Sequence, residues 1–212
     1  MSLGKILLAL VGLFIVVAII VALSISSIYN RLVTLQQGTD AAWAQLQNVY
    51  QRRADLVPNL VRSVAGAANF EKSTLAEITE ARASVGRVQL SAGGAPADLA
   101  KFAEFERAQG QLGSALSRLL VVAERYPDLK ATAAFRDLQV QLEGSENRIA
   151  VERGRFNEAV QAYNTAVKRF PAVLLAGMLG HATRPYFTAT PGGEKPPAVQ
   201  FDFGPKPAPA RP

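Results

Sequence analysis

Residues 6–30 carry no charged side chain, and within that run residues 6–25 read ILLALVGLFIVVAIIVALSI, between Lys5 and Arg31. Twenty such residues, rising about 1.5 Å each as a helix, cover about 30 Å, the thickness of a bilayer's hydrocarbon core. A cleaved signal peptide has an apolar core of only about 7–15 residues followed by a small-residue cleavage site. Ala22-Leu23-Ser24 is a poor match to such a site. The pattern therefore predicts a retained transmembrane helix over residues 1–28. Its orientation is only weakly encoded: Lys5 and the α-amine lie on one side, Arg31 and Asp40 are the only charges soon after the other, and the positive-inside count is close to a tie.

Beyond the anchor the period changes. Ile28, Leu32, Leu35, Thr39, Ala42, Leu46, Val49, Arg53, Leu56 and Leu60 follow alternating steps of four and three, and Val57, Val61 and Val64 widen the stripe. This first helix is expected to grow straight out of the membrane. Two readings of Pro58 are open: a kink in a continuing helix, or a restart capped by Asp55. A second helix is expected over about residues 70–90, with Leu75, Ile78 and Val85 as its apolar side, followed by the loop SAGGAPA at residues 91–97. A third carries Phe102, Phe105, Gln109, Leu112, Leu116, Leu119, Ala123 and Tyr126, with Pro127-Asp128 as its stop. The fourth is the longest, through Phe135, Leu138, Leu142, Ser145, Ile149, Glu152, Phe156, Ala159, Tyr163, Ala166 and Phe170. No β alternation of comparable length occurs.

Consecutive heptad stretches separated by turn signals fold most simply as an all-α protein: an N-terminal transmembrane helix followed by an antiparallel up-and-down four-helix bundle with long helices over residues 29–190. A parallel coiled coil between chains would explain one seam but not three in succession. Arg53, Gln109 and Glu152 fall on core-type positions. A buried charge needs a partner, so Arg53 is expected to pair with an acid of the fourth helix or to reach the bundle edge. Residues 191–212 hold seven prolines in twenty-two residues, too little apolar surface for a core, and form a tail in which Phe201-Asp202-Phe203 is a candidate docking motif.

Composition narrows the chemistry. The chain has 23 basic and 17 acidic residues, a net +6. Arg118, Arg125, Arg148 and Arg169 are interleaved with acids, as on solvated helix faces, and no basic stripe with stacking aromatics points to nucleic acid. There is no cysteine, and His181 is the only histidine, which excludes thiolate metal sites and histidine-based metal sites within one chain. The acid pairs Glu77 with Glu80 and Glu143 with Glu146 lack the Glu-x-x-His motifs that a di-iron bundle requires. The sequence thus implies no enzyme, no metal and no cofactor.

Three polar blocks interrupt this Ala- and Leu-rich chain: Arg52, Arg53, Asp55, Pro58 and Asn59; Glu124, Tyr126 and Asp128; and Glu146, Asn147, Arg148 and Glu152. They are candidates either for fixing helix register or for a shared surface that recognises another protein. A second candidate set follows from parity. If four helices alternate in direction, the fourth returns to the membrane and delivers the short apolar stretch at residues 171–180 there. Leu174, Leu175 and Met178 would then lie at the interface, with Lys168, Arg169 and Arg184 facing headgroups and Tyr186 and Phe187 at the boundary. The alternative is that this stretch folds back as a cap on the bundle.

Several of these segments together resemble a known family. Tyr29-Asn30-Arg31-Leu32-Val33, Ala42-Trp43-Ala44-Gln45-Leu46, Arg52-Arg53-Ala54-Asp55-Leu56-Val57-Pro58-Asn59-Leu60-Val61, Thr79-Glu80-Ala81-Arg82, Glu124-Arg125-Tyr126-Pro127-Asp128-Leu129-Lys130 and Leu142-Glu143-Gly144-Ser145-Glu146-Asn147-Arg148-Ile149-Ala150 look like the LemA family of bacterial membrane proteins. Phe156-Asn157-Glu158-Ala159-Val160, Tyr163-Asn164, Phe170-Pro171 and Pro185-Tyr186-Phe187 continue the likeness to about residue 190. The resemblance implies one N-terminal anchor and a four-helix bundle, and it brings no settled biochemical activity. Phe156 stands where the family more often has tyrosine. The expected role is a non-enzymatic, membrane-anchored scaffold or adaptor of the cell (inner) membrane, single-pass. Its expected partners are the lipid bilayer, further copies of itself, and a membrane or membrane-proximal protein. The alternative is a signalling module that transmits through the continuous stalk.

Overall fold

A computed structural model of the chain describes residues 3–66, 71–88 and 94–188, and every regular element among them is helical. Phe70, Leu90, the first part of the SAGGAPA loop and the tail with Phe201-Asp202-Phe203 lie outside the described residues. The first helix, α1, runs from Leu3 to Ala65 as one element of 63 residues. Its N-terminal part is long and apolar enough to cross a membrane. Leu13, Phe14, Ile20 and Leu23 are each more than half exposed there, since no other part of the described chain packs on them. The helix satisfies its own backbone, which is what lipid demands of a spanning segment.

Pro58 lies inside α1 on the exposed side and does not break it, so the reading of a restart at Asp55 is set aside. Asp55 instead accepts a hydrogen bond from Gln51 Nε2 at 2.8 Å within the same helix. Proline supplies no N–H for the carbonyl four residues earlier. That carbonyl, of Ala54, accepts from Arg82 Nε at 3.2 Å across the helix pair. Arg82→Ala is therefore expected to cost about 1 kcal/mol in the parent chain and close to nothing where Pro58→Ala restores the missing donor. Equal costs in the two backgrounds, measured by chemical denaturation, would show that one donor does not replace the other.

Three further helices are long enough to pack along the stalk: α2 (Lys72–Arg87), α3 (Leu99–Ala123) and α5 (Ala133–Lys168). Asp98 caps α3 by accepting from the N–H groups of Ala100 and Lys101, and Thr132 Oγ1 caps α5 by accepting from Phe135 N. Between them Pro127 opens α4 (Pro127–Ala131) instead of ending α3, which stops three residues short of the expected Tyr126. A proline's fixed φ suits a first helical position as well as a stop. The short α6 spans Ala172–Leu175. Phe170, expected on the buried seam of α5, falls beyond the helix end and is 74% exposed.

Residue numbers along α1 and α5 run in opposite directions. Leu32 clusters with Ala166, Thr39 Oγ1 donates to the Ala159 carbonyl at 3.4 Å, Tyr50 meets Arg153, and Arg53 meets Glu146. The two helices are thus antiparallel, and α2 and α3 form a second pair. Buried side chains form three clusters along the stalk. Leu32, Tyr163, Ala166, Val167 and Ala176 make the one nearest the apolar run. Trp43, Tyr50, Phe102, Phe105, Phe156 and Phe187 make the middle one. A distal one joins Leu60 and Val64 with Ile78, Leu112, Leu119, Leu129 and Phe135. Near the apolar run only α1, α5 and the segment after α5 contribute, because α3 starts level with Trp43.

Candidate functional site

Arg53 is 2% exposed and has been placed in the core by the same seam that carries Leu46, Leu56 and Leu60. Its Nη1 donates to Glu146 Oε1 at 2.7 Å, and its Nη2 donates to Gln109 at both the backbone oxygen (3.0 Å) and Oε1 (2.7 Å). One guanidinium therefore ties α1 to α3 and α5. Its Nε is buried with no partner. The cation also lies 5.3 Å from the centre of the Tyr50 ring. Arg153 of α5 completes the layer, donating from Nε to Tyr50 Oη at 2.7 Å and lying over the Phe187 ring at 5.1 Å. Burial pushes the Tyr50 phenol up, against the pull of Arg153, and burial likewise raises the carboxyl of Glu106.

Above this layer α3 and α5 stand apart and leave an open groove of about 880 Å³. Arg53 lies at its floor, and its walls are Gly110, Gly113, Ser114 and Ser117 on one side and Leu142, Glu143, Glu146 and Asn147 on the other. Gly110, Gly113, Ser114 and Ser117 lower part of the α3 wall, which Leu116 and Leu120 complete. The chemistry available is recognition: the cations of Arg53 and Arg153, the carboxylates of Glu143 and Glu146 and the amides of Gln109 and Asn147 beside an apolar strip of Leu116, Leu120 and Leu142. Among the described residues no group of three His, Cys, Asp or Glu is placed to hold a metal ion.

The three polar blocks do not form one surface. Arg53, Glu146 and Asn147 meet at the groove, and Glu152 pairs with Arg155 on its own helix at 2.7 Å. Arg52 and Arg148 are exposed. Asn59 accepts from Arg62, one turn along. The second block is distal: Tyr126 and Asp128 line a cleft with Ser63 and Gly66 at the far end of α1, and Glu124 pairs with Lys130.

At the other end Lys168 and Arg169 are exposed, Leu174 and Met178 are 65% and 84% exposed, and Leu175 is half-buried. Arg184 and Phe187 are not where the parity argument put them. Arg184 is nearly buried, with Nη1 3.4 Å from Asp40 Oδ1 and its guanidinium over the Tyr163 ring, so it does not face headgroups. Phe187 is buried between Trp43, Phe102 and Phe156, and Tyr186 lies beside it, far from the end of the apolar run. The reason is that the chain turns at Gly180, whose φ is +78°, and runs back along α5 through residues 181–188.

Two asparagines hold this strap. Asn164 donates from Nδ2 to the Arg184 carbonyl and accepts at Oδ1 from the Arg184 N–H, both at 2.8 Å. Asn157 does the same to Phe187, both at 2.9 Å. Seven residues of helix rise about 10.5 Å and three residues of extended chain about 10 Å, so the two spacings match. Asp40 adds a third fastening through its ion pair with Arg184, and it also accepts from Ala95 N at 2.8 Å beside Gly94, where a side chain would collide with its carboxylate. His181 opens the strap, buried against Tyr163, whose Oη lies 3.2 Å from Nδ1. Asn157 and Asn164 lie in blocks that carry the family resemblance, but no role for them or for Asp40 follows from the sequence. The available signal was two asparagines one heptad apart on the core side of an otherwise apolar seam.

A family model described as LemA family matches residues 42–201. The chain is 28% identical over 190 residues to magnetosome protein MamQ 1 of Paramagnetospirillum magneticum, covering 79% of this chain and 67% of that protein. It is 28% identical over 185 residues, with the same coverage, to magnetosome protein MamQ of Magnetospirillum gryphiswaldense. Protein LemA of Metamycoplasma hominis is 25% identical over 141 residues, covering 66% of this chain and 60% of that protein.

Proposed function

This chain belongs to the LemA family, and from its geometry we propose that it is a non-enzymatic scaffold, anchored by a single pass in the inner membrane, whose helices engage other proteins or further copies of itself. The observation that carries this reading is the continuity of α1. One unbroken helix leads from the apolar run to Arg53, which holds the groove at a fixed height. Arg53 is 28 residues beyond Ile25, a rise of about 42 Å. A flexible tether would not hold a surface at a set distance from the membrane. We read α1, α2, α3 and α5 as the staves of an antiparallel four-helix bundle, supported by the α1 to α5 and α2 to α3 pairs and their shared clusters. The gap between α3 and α5 is then a seam left open for a partner.

A photocrosslinker at Ser117, on the groove wall, tests this in intact membranes. The expected result is one recurrent adduct, either a dimer of this chain or a single partner. Monomer alone at native abundance would remove the reading's support. The same continuity favours a second reading, a signalling module that works through the stalk. There, glycines inserted between Ser26 and Arg31 would abolish a response while sparing the adduct.

A further inference from the structure

The segment after α5 presents large apolar side chains that nothing in the described chain covers: Phe170, Val173, Leu174 and Met178 are 74%, 50%, 65% and 84% exposed. Their place on the molecule gives them meaning. Phe170 and Pro171 share a small pocket of about 110 Å³ with Ile28, Arg31 and Leu32 of α1. Ile28 is one turn beyond Ile25, where the membrane-spanning composition ends, so this knob stands within about 5 Å of that boundary along the helix axis. The charges around it have one sign. Arg31, Lys168 and Arg169 are all exposed there. No acid occurs in residues 28–39 or 159–188. The nearest acids along the two helices, Asp40 and Glu158, lie about 13–15 Å farther up, and Asp40 is engaged by Arg184 and the Ala95 N–H.

We propose that this knob is a second membrane contact: Phe170, Val173, Leu174 and Met178 insert at the headgroup and acyl boundary, and Arg31, Lys168 and Arg169 bind the headgroups of anionic lipids. Apolar side chains flanked by cations bind an interface by these two terms together. A lone transmembrane helix leaves its domain free to tilt. A foot beside it fixes the tilt, and with it the height and facing of the Arg53 groove. The inference rests on α1 being a membrane anchor, and the experiment separates the two.

The chain has no cysteine, so single-cysteine variants of the full protein take one environment-sensitive fluorophore each. Val16→Cys reports the anchor, Leu174→Cys and Met178→Cys the foot, and Val121→Cys an exposed site on α3. In phosphatidylcholine vesicles with about 30% phosphatidylglycerol, a lipid-borne quencher set at shallow depth should dim the labels at 174 and 178 at least about twofold more than the label at 121. Replacing Arg31, Lys168 and Arg169 by Gln, or omitting phosphatidylglycerol, should reduce that quenching. Labels at 174 and 178 that are dimmed by aqueous iodide as freely as the one at 121 overturn the foot. Labels shielded from both quenchers also overturn it, since protein then covers the patch. Quenching indifferent to phosphatidylglycerol and to the Gln variant overturns the headgroup site. A label at 16 that lipid quenchers do not reach overturns the anchor reading itself.

Discussion

Glu146→Ala is expected to lower the unfolding free energy by about 2 kcal/mol, and Arg53→Met in the same chain to return most of that loss. Removing one member of a fully buried ion pair costs about 3–5 kcal/mol, because the other charge is left in a medium that cannot solvate it. The Glu146 side chain is 51% exposed and Arg53 only 3%, so the cost here is smaller and falls almost wholly on the guanidinium. Arg53→Ala alone should cost about 3 kcal/mol, since it orphans both Gln109 acceptors and empties the volume of the stem. Methionine keeps the stem and removes the charge. Urea unfolding in detergent, analysed as a double-mutant cycle, measures the coupling. Single costs that simply add would show that the pair does not fix the register of α1 against α5, and the polar layer would then be free to serve the groove alone.

The parts of this molecule that repeat were legible, and the parts that meet only once were not. The apolar run and the steps of three and four through Ile28, Leu46 and Leu60, or through Leu142, Phe156 and Tyr163, are periodic, and periodicity survives without knowledge of a partner. Arg53 stood out because it occupies a position that the period assigns to the core. That Gln109 would supply two of its acceptors depends on the register of α3, which no local pattern states. Arg82 and the Ala54 carbonyl meet across 28 residues for want of one N–H. Pro127 reads equally well as a stop and as a first helical residue, and only the packing of Leu129 into the distal cluster decides. Phe170 continues the arithmetic of its seam past Lys168, where the helix ends, and Pro171 disfavours the helical conformation for the residue before it. Arg184 reads as a headgroup ligand because helix parity returns its segment to the membrane. Asp40 and Tyr163, which hold it inside, come from two other elements. The strap has no period at all, and its fastening is written on α5 instead.

That fastening gives the second large effect. Asn157→Ala and Asn164→Ala each delete two hydrogen bonds and leave a strap N–H and carbonyl without partners, for an expected loss of about 2 kcal/mol apiece. Asn157 should matter more, because Phe187, whose backbone it holds, fills the middle cluster with its ring 4.7 Å from that of Phe102 and 5.5 Å from that of Phe156. In the double variant the strap should leave α5, since only the Asp40 to Arg184 pair, the His181 to Tyr163 contact and the packing of the Phe187 ring would remain to hold it. Trp43, the only tryptophan, packs 6.2 Å from the Phe187 ring and reports the event without a label. Its emission should shift to the red, and residues 181–188 should become a site of limited proteolysis. Asn157→Asp sharpens the test. Its ionised carboxylate can still accept from the Phe187 N–H but faces the carbonyl with a negative charge, which raises the folded pKa above the unfolded one. Stability is then greatest with the acid protonated and is lost as pH rises through the folded value. The variant should therefore be nearer the parent at acid pH than at neutral pH. Unchanged Trp43 emission and unchanged protease resistance in the double alanine variant would mean that ring packing, and not the two amides, holds the strap to α5.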